Sequence, residues 1–241
     1  MKRILLNKFE EYENMKKKDI EVDIGNFSPT VALPLIYNEK INFKKIDSIR
    51  KVNVNTDNSE IISNEILEEL NINNNNITPM KFVFHELISN IYDHSKFENA
   101  YVMGKKDGKF YEFGFLDDGI TIPTSLKKLR CPIKDDCDAI IQAINGLSSK
   151  NELGYIERGT GLNNTINIVT SGSNGEVLIV SGCALIHISN NDNITARKIP
   201  RDCVNGTLVS LRMNLDSKID IYKYLKQVKY ELIIWVKLKF F

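Results

Sequence analysis

A surplus of one charge is the first thing missing. Over 241 residues, 32 Lys and Arg meet 31 Asp and Glu, leaving a formal net charge of +1. That balance offers no field to draw in nucleic acid or an anionic membrane surface. Long apolar runs are missing too. No stretch approaches the ~18 apolar residues of a membrane span. The opening MKRILLNKFEEYENMKKK turns charged after a short apolar run, too soon for the core of a secretion signal. These absences predict a cytoplasmic protein with no transmembrane segment and no nucleic-acid partner. Cysteine is scarce, at Cys131, Cys137, Cys183 and Cys203, and only the first two lie close in sequence. Their gap is not a common zinc spacing. In a reducing cytosol all four are expected to be free thiols.

What is present is ordinary for a globular chain, with 42% hydrophobic and 26% charged residues. The length allows one sizeable domain with additions, or two small ones. Residues 1–77 read as a loosely organised N-terminal α/β segment. IEVDI (20–24) alternates like a short strand, and PTVALPLIY (29–37) reads as a brief helix broken at Pro34. SEIISNEILEELNI carries Ile62, Ile66 and Leu70 on one helical stripe. The asparagine-rich run at 71–76 is low in complexity and marks the expected boundary.

From Thr78 the signals sharpen. Thr78 as N-cap and Pro79 at the first helical position predict a helix start. Met80, Val83, Phe84, Leu87, Ile88 and Ile91 then recur at helical spacing. Two strands follow, AYVMGKK and KFYEFGFLDDG, joined at Asp107-Gly108 as a hairpin. Helical patterns return at 135–147 and 162–172, and EVLIVSG, ALIHIS and GTLVSLRMNL read as closing strands. The pattern predicts an α+β two-layer sandwich: a mixed, mostly antiparallel sheet covered on one face by helices.

Three stretches carry polar groups where chemistry could sit. In HELISNIYDHS, Glu86, Asn90 and Asp93 fall along one edge of the apolar helix, at i, i+4 and i+7. Such an edge either faces a cleft or is a solvated border. In FLDDGITIP, Asp117 ends an aromatic strand two residues before Gly119, a placement suited to the edge of a planar ligand. The alternative there is a plain polar turn. GTGLNNT (159–165) runs a glycine-rich loop into a helix, a arrangement that suits an anion. It is neither a P-loop nor a Rossmann fingerprint.

The order of these stretches is more specific than any one of them. An E-x-x-x-N helix, then D-x-G-x-x-x-P, then G-x-G-L opening a helix, then Gly206-Thr207 on a late strand, resembles the GHKL ATP-binding superfamily with its Bergerat fold. The resemblance spans about residues 78–215. It implies a histidine-kinase-like ATPase domain that binds ATP with Mg²⁺. Asn90 would hold the metal against the phosphates, and Glu86 would polarise the attacking water or hydroxyl. Asp117 would take the adenine amino group, Gly119 and Thr121 would line the base, and Thr207 would support Asp117. Gly159, Thr160, Gly161 and Leu162 would form the phosphate loop, and about 124–160 the lid. Two positions depart from the family pattern: Thr121 stands at its second adenine-loop glycine, and Asn163 where a further phosphate-loop glycine is frequent.

The histidines exclude one branch. Only His85, His94 and His187 occur, so no acceptor histidine precedes the ATP helix and a self-phosphorylating histidine kinase is not expected. The helix looks most like those of anti-sigma-factor serine kinases. The resemblance therefore implies an ATP-dependent regulator, an ATP hydrolase or a kinase acting on Ser or Thr of a protein encoded nearby; a non-catalytic module switched by ATP is the alternative. Residues 216–241 read as an added amphipathic helix with Ile221, Leu225, Val228, Leu232 and Trp235 on its stripe. That stripe packs on its own subunit or builds a homodimer.

Overall fold

The structure, a computed structural model, describes residues 47–128, 132–147, 161–189, 193–199, 203–216 and 218–225. The strand and helix expected before residue 47, Cys131, the part of the expected lid at 129–131 and 148–160 (with Gly159 and Thr160 in it) and the tail beyond 225 lie outside these residues. The elements run β1 (Ser48–Lys51), α1 (Ser59–Glu69), α2 (Asn74–Asn90), β2 (Ala100–Asp107), β3 (Phe110–Asp117), α3 (Ile122–Leu126), α4 (Asp136–Ile144), α5 (Gly161–Asn167), β4 (Glu176–Gly182), β5 (Ala184–Ser189), β6 (Asn193–Lys198) and β7 (Val204–Asn214). Both α2 and α5 run on into a π-helical turn, Ile91–Ser95 and Ile168–Gly172.

The fold is α+β, built on one open seven-stranded sheet in the order β1-β2-β3-β7-β4-β5-β6. Every pairing among the described residues is antiparallel, so the expected mixed sheet is corrected. The reason lies in the connections: β2–β3 and β4–β5 are tight hairpins, and β7 enters between β3 and β4 against both. Strand β6 carries the exposed pattern NITARK and has no apolar alternation to announce it.

One face of the sheet holds the core. Tyr111, Phe113 and Phe115 alternate along β3 toward the helices, and Phe84 of α2 meets Phe113 and Phe115 edge-on at centroid distances of 5.2 and 5.1 Å. Each buried aromatic of this kind contributes about 1.5–3 kcal/mol, with ~0.5–1.5 more per ring pair. Ile62 and Ile66 of α1 and Ile140 and Ile144 of α4 join the same cluster. Residues 47–77 thus add a strand and a helix to this one sheet and core.

Two local expectations are overturned. Helix α2 starts at Asn74 and not at Thr78, because the Asn73 side chain accepts the Asn75 N–H at 3.0 Å and caps it. Pro79 therefore sits inside the helix, where the carbonyl it leaves unmatched belongs to exposed Asn75. The low-complexity asparagine run also takes part in the packing: Asn76 is 1% exposed, donates to the Leu215 carbonyl at 2.8 Å and accepts the Ile219 N–H at 3.0 Å. The expectation of four free thiols fails as well. Cys183 and Cys203 form a disulfide, with Cα atoms 4.2 Å apart, because the pairing of Gly182 with Val204 brings their neighbours together. Cys137 is a buried free thiol. No helix of the described residues is long and apolar enough to cross a membrane.

Candidate functional site

A cavity of about 530 Å³ opens between α2, the ends of β3 and β7, α3 and the start of α5. Its size is ordinary for a small-molecule site. Glu86, Asn90, Asp117, Gly161, Leu162 and Thr207 all line it. Gly119 and Thr121 shape the wall without lining it.

Asp117 is the most constrained of these side chains. It closes β3 opposite Thr207 of β7 and is 3% exposed. Burial pushes its carboxyl up to about 7, and the charge of Asp118 adds to that; the Gly119 N–H (2.9 Å), the Ser95 hydroxyl and the Thr207 N–H oppose it. The group is thus a hydrogen-bonding carboxyl poised near neutrality inside a cavity. Asp118 has a different role. It accepts from the Glu98 and Asn99 N–H groups and from the Asn99 side chain, each at 2.9 Å, and clamps the turn. One half of Asp-Asp-Gly is turn chemistry and the other half faces the cavity.

Backbone packed against backbone builds this corner. A Cβ at Gly119 would collide with the Ser95 carbonyl, which accepts the Ile120 N–H. Gly206 has φ +91°, and its Cβ would meet the Asp117 carbonyl. Thr121 caps α3 by accepting the Thr124 N–H at 3.2 Å. The Thr121 hydroxyl thus serves as a helix cap.

Glu86 lies directly against Gly161: a side chain there would strike its carboxylate. Burial raises its carboxyl above the ordinary range, and only His85 opposes that. Asn90 is half-buried one turn on. The π turn that follows carries Asp93 and His94 along the cavity and brings Ser95 under Asp117. Lys96, with φ +51°, ends it.

Three further residues went unread in the sequence. Ser181 accepts the Ile122 N–H at 2.9 Å, donates to the Gly206 carbonyl at 3.0 Å and shares a hydrogen bond of 2.9 Å with Thr207. Its signal was a polar residue on the apolar side of the alternation Val177, Ile179, Ser181. Ser95 follows no pattern, since the π turn shifts it out of helical register. Asn164 was hidden in a helix start rich in asparagine.

Apolar side chains make up much of the wall, its polar side chains carry mostly oxygen, and among the described residues lining it there is no lysine or arginine. An amide at Asn90 and a carboxylate at Glu86 are donors of the kind hard cations take. No cluster of three His, Cys, Asp or Glu able to hold a metal alone occurs among the described residues. No protein-family model matches the chain, and no curated protein matches it either.

Proposed function

We propose that this chain is an ATP-binding regulatory protein of the GHKL type, with the Bergerat fold and Mg²⁺ as its metal. The observation that carries this reading is the cavity itself, where side chains from position 86 to position 207 converge around one buried carboxyl, Asp117. On this reading Asp117 accepts the adenine amino group, while Thr207 and the Gly119 turn fix its position. The Asn90 side chain would hold Mg²⁺, which would supply the positive charge that the wall's lack of lysine and arginine leaves unmet. Glu86 polarises the hydroxyl or water that attacks the terminal phosphoryl group. Burial raises the Glu86 carboxyl above its ordinary range, which makes its carboxylate form a stronger base than a free one.

Calorimetric titration with ADP and MgCl₂ tests the reading. Asp117→Asn turns one acceptor into a donor and should cost ~1–3 kcal/mol of binding. Equal affinity of the two proteins removes the adenine assignment. Glu86→Ala should keep the affinity and abolish single-turnover transfer from labelled ATP to the protein encoded next door.

A second reading, a non-catalytic switch, draws on the tail. Leu225 reaches the cavity wall, and Tyr224 bonds the Ser171 carbonyl at 3.1 Å. Ligand in the cavity would meet the segment that leads to residues 226–241, where the sequence reading expects a partner or second-copy contact. Tail protection that responds to ATP in a protein without turnover favours this reading.

A further inference from the structure

Asn164 is a cavity residue that the proposed function leaves unused. It is 8% exposed, and its side-chain oxygen is buried with no hydrogen-bond partner. Its neighbours differ. Asn163 donates to the Ile144 carbonyl at 3.3 Å and accepts from Asn167 at 2.9 Å, so their amides hold α5 in place. A buried polar group left unmatched is a standing cost in the free protein.

Its position says what it serves. Gly161, at the start of α5, lies against Glu86, whereas Gly172, beyond its other end, adjoins Ile219, whose N–H is held by Asn76 at the start of α2. The two helices therefore run antiparallel. Asn164 lies one turn past Gly161 on the same face, and side chains on a helix lean toward its N-terminus. Asn164 lines the same cavity as Gly161 and Glu86. Cationic donors are missing there, since no lysine or arginine among the described residues lines the cavity. Half a turn of the carboxamide exchanges oxygen for NH₂ and presents two donors.

We infer that Asn164 contacts the ligand: its carboxamide donates to the terminal phosphoryl group of a bound nucleoside triphosphate and makes the site prefer triphosphate to diphosphate. This rests on the nucleotide reading, and it concerns the terminal phosphate because the amide shares the cavity with Glu86. The test is the ratio of two affinities, measured by calorimetry with MgCl₂ on the full chain, for ADP and for a non-hydrolysable ATP analogue. Asn164→Leu keeps the approximate volume and removes the amide. It should weaken the ATP analogue about 5- to 20-fold and shift ADP less than about twofold, with a melting temperature equal to or above that of the wild type. Asn164→Ala should change the ratio in the same sense, and decides the matter if the leucine variant does not fold. Wild-type protein that binds neither nucleotide overturns the nucleotide reading and this inference together. Wild-type binding with an unchanged ratio in the variants, or with both ligands weakened equally, overturns this inference alone.

Discussion

Strand β3 carries two buried carboxyls, and they teach different things. Glu112 and Asp117 are 4% and 3% exposed, and both are pushed up to about 7, chiefly by burial. Their surroundings diverge. Glu112 points to the face away from the core helices, where Lys105 and Arg212 favour its charged form and Arg212 also stacks on Phe110 at 4.1 Å. Asp117 points to the helix face, is held by uncharged donors and opens on the cavity. A perturbed carboxyl is thus no mark of a site by itself. What separates the two is uncharged donors and empty space on one side, and neighbouring cations on the other.

The largest effect should come from the glycines at the two ends of the same sheet region. Gly206→Ala must place a Cβ against the Asp117 carbonyl at φ +91°, combining backbone strain with a clash for roughly 2–5 kcal/mol. Gly108, in the β2–β3 turn, has φ +61° and nothing within 4 Å of its Cβ. Gly108→Ala should cost only the conformational term, about 1–2 kcal/mol. Urea denaturation of both variants reads the difference. Equal losses would mean that the Asp117 corner is no more tightly built than a surface turn.

The carboxyls themselves come next. A raised folded-state value means that the folded protein holds a proton the unfolded chain has released, so each group's contribution is full at low pH. It is lost as pH rises from about 4 toward the folded value near 7, and stays lost above it. Asp117→Asn mimics the protonated form. It should raise stability at pH 8 by roughly 2–4 kcal/mol, with the gain vanishing near pH 4. Glu112→Gln should gain less, roughly 1–2 kcal/mol, because it leaves Arg212 and Lys105 without their counter-charge. It should also leave nucleotide affinity unchanged. Melting curves at pH 4 and pH 8 decide this, and a larger gain at Glu112 would reverse the distinction drawn above.

Which of these features the sequence reveals follows from how local their causes are. The stripe of α2, the aromatic alternation of β3 and the hairpin turn are written in spacing a few residues long, and each appears near its expected place. The start of α2 was missed because Asn73 caps through a short-range bond while Thr78-Pro79 offers a competing signal. Asn76 reads as low complexity, yet its partners Leu215 and Ile219 lie far along the chain. The same holds for Cys183 with Cys203 and for Ser181 with Thr207, whose pairings exist only once β7 inserts beside β4. Glu86, Asn90, Asp117 and Thr207 were legible as candidates; that they share one cavity with Asn164 and Ser95 required the sheet order.

The smallest contrast concerns two buried serines on neighbouring strands. Ser181 and Ser210 are each 0% exposed. The Ser210 hydroxyl makes one long bond, to the Phe113 carbonyl at 3.4 Å, and losing it should cost less than about 0.5 kcal/mol. Ser181 joins three elements: it accepts from Ile122 at the start of α3, donates to Gly206 before the cavity end of β7, and bonds the Thr207 hydroxyl. Ser181→Ala leaves the half-buried Ile122 N–H without its partner and frees Thr207 to turn. The expected loss is about 1–2 kcal/mol and, on the proposed nucleotide reading, an ADP affinity a few-fold lower because Thr207 lines the cavity. Ser210→Ala should leave that affinity untouched. The double-mutant cycle of Ser181→Ala with Thr207→Val sharpens the point, since residues in one hydrogen-bond network should couple by at least about 0.5 kcal/mol. Strict additivity would mean that the two hydroxyls act separately and that Ser181 has no part in shaping the cavity.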